Sequence, residues 1–206
     1  MTDLATQIST AAGRLDGLNA AREAGLAASR AVIRASASAI RAVHLGNADT
    51  VTQRLDEAAR SLATAAEALR PYPAIYHAGF LHDAAKEYVE ARATMALVAG
   101  DPVPGPEELG VAIPAWLNGL AEAASALRRH SHDRLRAGEL PVAEALLGRM
   151  DEVFGELVTI DLPDAVTGGL RRTLDSLRAV IERTRSDITI AVLQHRLRES
   201  LDRQLS

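Results

Sequence analysis

Ala48-Asp-Thr-Val51-Thr-Gln-Arg-Leu55-Asp-Glu-Ala58-Ala-Arg-Ser-Leu62-Ala-Thr-Ala65-Ala-Glu-Ala-Leu69-Arg70 decides the fold. Its apolar positions 51, 55, 58, 62, 65 and 69 step by four and three, the spacing of one helix face. Pro71 and Pro73 end the pattern, because proline has no N–H to donate and clashes with the preceding turn. Upstream, residues 3–45 carry the same periodicity (Leu4, Ile8, Ala11, Leu15, Leu18, Ala21) without a proline. Downstream, a third helix is predicted over residues 74–98, and Gly100-Asp-Pro-Val-Pro-Gly-Pro106 is the clearest loop. A fourth helix fits residues 114–137, closed by Gly138, and a fifth fits 141–159. After Asp161-Leu-Pro163 a last pattern runs from 164 to 205. No stretch alternates apolar and polar residues with β-branched enrichment, so no strand is predicted. The expected architecture is all-α: an antiparallel bundle of six to seven helices in one domain spanning residues 1–206. Unbroken, the last segment would reach roughly 60 Å. Its stripe of Leu170, Leu174, Leu177, Ile181 and Ile188 is therefore expected to serve partner subunits as well as its own core.

The composition narrows the function. The 206 residues include 27 acidic and 23 basic side chains, a net charge of −4, with 48% hydrophobic content, which is ordinary globular usage and excludes wholesale disorder. No run approaches the ~18 apolar residues of a membrane span, and MTDLATQIST lacks a signal-peptide layout, so a cytoplasmic protein is expected. The absence of cysteine removes disulfides, zinc–thiolate sites, Fe–S clusters and thiol catalysis. With 3% aromatics, stacking platforms for bases are sparse, and Gly168-Gly169 follows no strand and is no dinucleotide fingerprint. Only Lys86 among the 23 basic residues is lysine. A GC-rich genome explains such a bias, although arginine also binds phosphate bidentately where lysine acts as a point charge.

Two constellations carry chemistry. In His82-Asp-Ala-Ala-Lys-Glu-Tyr-Val-Glu-Ala91, Asp83, Glu87 and Glu90 stand at i, i+4 and i+7, on one helix face. Lys86 offsets part of their repulsion; Mg²⁺ or Mn²⁺ would offset more, since these ions favour oxygen ligands. A ferritin-like di-metal oxidase is disfavoured because no Glu-x-x-His exists. The second constellation is basic: Arg128-Arg-His-Ser-His-Asp-Arg-Leu-Arg136, and Arg171-Arg172 with Arg178, Arg183 and Arg185. These read either as solvated faces or as phosphate-binding strips.

His77-Ala-Gly-Phe-Leu-His-Asp-Ala-Ala-Lys-Glu-Tyr-Val-Glu-Ala91 resembles the Glu-Tyr-Val-Glu segment of translin-associated protein X and its archaeal and bacterial relatives. Three later blocks resemble the same family in the same order. They are Trp116-Leu-Asn-Gly-Leu-Ala-Glu122 with Leu127-Arg-Arg129, Arg136 through Met150, and Asp161 through Arg172 with Thr184-Arg-Ser-Asp-Ile-Thr189. The resemblance covers residues 70–190 and implies a translin-type helical fold assembled into a hollow homo-oligomer, commonly an octamer. It further implies single-stranded RNA or DNA as partner and, in the X-type subunit, a Mg²⁺-dependent endoribonuclease site. The matching metal and catalytic residues here are Glu87, Glu90 and Glu122, with Asp83 as a further candidate ligand. Arg128, Arg129, Arg171, Arg172 and His77 are the candidate nucleic-acid contacts. The second block departs from the family pattern: Glu122 replaces aspartate, Ser125 replaces glycine, and Ala126 replaces a metal-linked glutamate. The expectation is thus a translin-family nucleic-acid-binding oligomer with weak or no cleavage and weakly held Mg²⁺ or Mn²⁺. The alternative is a Mg²⁺-dependent endoribonuclease acting on single-stranded RNA.

Overall fold

The computed structural model describes residues 3–205. Among them are six long helices and three single-turn helices, and no strand. None of these helices is long and apolar enough to cross a membrane. The residues gather into two compact units with the boundary between Tyr88 and Val89.

The first unit is built on a helical hairpin of α1 (Leu4–His44) and α2 (Ala48–Leu69). The two are joined by Leu45-Gly46-Asn47, and the Asn47 side chain caps α2 by accepting from the Thr50 N–H at 3.0 Å. All six periodic residues of the opening stretch are buried, facing a seam that includes Val32, Ala35, Ala39 and Ala42 of α1. The seam is close: a Cβ on Gly25 would lie 2.8 Å from the Leu69 side chain. Because α1 has 41 residues and α2 only 22, its first three turns have no such seam, and Leu4, Ile8 and Leu15 are exposed.

Where one helix was expected over 74–98, a single turn, α3 (Pro73–Tyr76), precedes α4 (Phe80–Ala99). The break lies at His77-Ala78-Gly79, where Gly79 has φ +96°, a conformation that ends right-handed helix. The boundary between the units falls inside α4, which runs through it without interruption.

The second unit contains α5 (Pro106–Leu109), α6 (Ile113–Arg136), α7 (Leu140–Leu157), α8 (Asp164–Thr167) and α9 (Leu170–Leu205). Helices α6, α7 and α9 pack mutually around Leu120, Leu127, Leu146, Met150 and Leu177. The final pattern is not one helix. Gly168 and Gly169 take φ of +65° and +87° and separate α8 from α9. Leu170, Leu174, Leu177, Ile181 and Ile188 all lie in this unit's own core, so the stripe expected to be shared with partners is consumed at home. The apolar residues that α9 leaves exposed come later: Ile190, Leu193, Leu197 and Leu201.

Candidate metal centre and arginine surfaces

Glu87 and Glu90 lie one turn apart on α4, and α6 brings Glu122 to them. Each offers a carboxylate oxygen, and the three oxygens lie within 4.8 Å of one another on half-buried side chains. Two unit negative charges that close, at an effective dielectric near 20, repel by about 3 to 4 kcal/mol. Octahedral coordination at about 2.1 Å sets ligand oxygens about 3 Å apart when adjacent and about 4 Å when opposite. Three hard oxygens at this separation therefore fit Mg²⁺ or Mn²⁺ with small side-chain adjustment. Lys86 Nζ stands 4.0 Å from Glu87 Oε1, at the margin of the trio.

Asp83 is not part of the group. It lies exposed in the first turn of α4, where a carboxylate complements the helix N-terminus. Sharing a helix face with Glu87 is thus not enough to join the site; the reach of α6 selects Glu87 and Glu90. Ala126, one turn beyond Glu122, offers no ligand atom.

The arginines do not form one patch. Arg128 is held on α9, its guanidinium 2.8 Å from Asp187 Oδ2 and donating to Thr184 Oγ1 at 3.1 Å. His132 Nε2 stands 3.0 Å from the same Asp187 oxygen. Desolvation is the largest influence on the Asp187 carboxyl and pushes it up. The hydrogen bonds and charges of His132 and Arg128 together outweigh it and hold the group below its ordinary value. Arg129 is exposed. Arg171 and Arg172 are exposed on the first turn of α9, about 24 Å along that helix from Asp187 at 1.5 Å per residue. Arg171 comes within 3.6 Å of Asp161 and lines, with Arg178 and Asp175, a cleft of about 390 Å³. His77 is exposed between α3 and α4, its ring edge-on to Tyr76 with centroids 5.0 Å apart.

Sequence reasoning missed Asn118. It is buried on α6 and donates to the carbonyls of Pro114 and Thr167, both at 2.8 Å, while accepting from Thr173 Oγ1 at 2.7 Å. These bonds pin the α8–α9 turn that presents Arg171 and Arg172. A lone asparagine inside an apolar run was the available signal, since a buried amide has to find partners.

Among the described residues the fold is all-α, with three glutamates from two helices gathered into a cluster that could hold a metal ion. No family model matches the chain. The crystal structure of AfC3PO is 34% identical, covers 91% of this chain and 98% of its own, and superposes with a TM-score of 0.84. AfC3PO in complex with duplex RNA gives 34%, 91%, 97% and 0.83. NeC3PO, solved in its apo form and 22% identical over 93% of this chain and 98% of its own, shares the fold with a TM-score of 0.81. An uncharacterized protein of Methanocaldococcus jannaschii is 27% identical over 184 residues, 88% of this chain and 81% of its own length. The chain belongs to the translin family, which includes the C3PO proteins.

Proposed function

We propose that this chain is an RNA-binding protein of the translin family whose Glu87, Glu90 and Glu122 carboxylates hold one Mg²⁺ or Mn²⁺ for phosphodiester hydrolysis. The convergence of the three oxygens within 4.8 Å carries the reading. It moves the balance from binding with little or no cleavage toward the endoribonuclease. Ungathered, the carboxylates would be solvated charges; gathered, they repel one another in a way that a divalent ion relieves. When bound, such an ion supplies a water of lowered pKa and stabilises charge developing on a phosphoryl oxygen. The protein's own part is to bring together three carboxylate oxygens from two helices, which would hold that ion. Exposed Arg129, Arg171 and Arg172 supply phosphate contacts. The relative AfC3PO, solved with duplex RNA, supports RNA as the partner. The exposed apolar residues of α9 support assembly into a homo-oligomer.

Labelled single-stranded and duplex RNA, incubated with the full chain with and without Mn²⁺ or Mg²⁺, tests this. Metal-dependent cleavage that is lost in Glu87→Gln/Glu90→Gln, with RNA still bound, is the expected result. RNA bound but uncut by the wild type under every metal condition would return the protein to the binding-only reading. No RNA bound at low salt would overturn both.

A further inference from the structure

We propose that Lys86 is a built-in cation of the glutamate centre, one that weakens the centre's hold on a divalent ion. The inference rests on the metal reading above and concerns this chain's own charge balance. Lys86 Nζ lies 4.0 Å from Glu87 Oε1, and both side chains are largely shielded, at 23% and 30% exposure. Lys86 also precedes Glu90 by four residues, so the two share a row on α4. The ammonium beside Glu87 offsets part of the negative field that would draw a divalent ion to the trio.

The residue type strengthens the case. Every other basic position in the chain is arginine. A guanidinium clamps a carboxylate through two parallel hydrogen bonds and would take Glu87 out of the ligand set. An ammonium is a compact point charge: it compensates the field of the trio while leaving carboxylate lone pairs for the ion. Lysine at 86 is thus the basic residue compatible with Glu87 as a ligand.

Calorimetric titration of the full chain with Mn²⁺ tests this in four forms: wild type, Lys86→Met, Lys86→Arg and Glu87→Gln/Glu90→Gln. Thermal melts with and without Mn²⁺ report on folding. Removing the unit charge beside Glu87 should tighten Mn²⁺ by roughly tenfold or more in Lys86→Met. Lys86→Arg should bind more weakly than wild type. Metal-free Lys86→Met should melt lower than wild type, having lost the cation beside Glu87, and should gain more from saturating Mn²⁺. Affinities for Lys86→Met and wild type within twofold of one another would overturn the role of Lys86 while leaving the metal centre standing. Absence of binding in all four forms would overturn the centre itself. Binding that survives in Glu87→Gln/Glu90→Gln would place the ion elsewhere and overturn both.

Discussion

Glu122 reaches the α4 glutamates from a different helix, so the trio exists only while α4 and α6 hold their relative register. Its chemistry can be read through stability. Mg²⁺ or Mn²⁺ should raise the melting temperature by ligand linkage, and Glu87→Gln/Glu90→Gln should abolish the rise while lifting the metal-free melting point by a few degrees at most. Glutamates that merely face solvent would give no ion-specific shift in either protein, and a differential melt distinguishes the cases. Asp187 makes a second prediction, about acid. Its folded carboxyl titrates below the ordinary 3.8, so the unfolded chain takes the proton more readily. The stabilisation is complete above about pH 4 and is lost as pH falls through the lowered folded value. Asp187→Asn should therefore be less stable than wild type at neutral pH, with the gap closing as pH falls below the ordinary carboxylate range. Urea unfolding followed by circular dichroism across that range measures the gap, and a constant difference would contradict the Arg128–Asp187–His132 arrangement.

Helix α9 divides its labour along its length. Its first five turns fill the second unit's core, and beyond them Ile190, Leu193, Leu197 and Leu201 are exposed. Leu193→Gln with Leu197→Gln should leave helix content unchanged and reduce the mass of the particle, as light scattering would record. An unchanged mass would show that these leucines make no subunit contact. The sequence located four of the six long helices to within two residues at each end because periodicity is local: residues 51 to 69 sit on one face whatever packs against them. Division of the α9 stripe was not legible, since Ile188 and Leu193 look alike until neighbouring helices fix where the core ends. The breaks at Gly79 and Gly168-Gly169 were hidden for a related reason. Glycine is tolerated inside a helix, and only φ distinguishes a tolerated glycine from a stop. For the site, spacing alone grouped Asp83 with Glu87 and Glu90; Glu122 came through family resemblance, and only helix packing separated member from bystander.

Across the whole molecule, net charge is negative while the proposed ligand is a polyanion, so binding must be local. Arg171→Gln with Arg172→Gln should weaken RNA binding and reduce the slope of log K against log salt by about one to two. Arg128→Gln should instead lower the melting temperature, because its guanidinium is engaged with Asp187 and Thr184. An unchanged salt slope in the double variant would remove the α9 turn from the RNA surface. Assembly is the other property at this scale: a particle larger than a dimer is expected, and a 21.9 kDa species at micromolar concentration would refute it. Lysine usage gives the same scale a chemical handle. In a chain with one lysine, an amine-selective acylating reagent has a single side-chain target, and that target lies beside the glutamate trio. Its labelling rate, read by mass spectrometry of the intact protein, becomes a footprint of one ångström-scale locality within 206 residues.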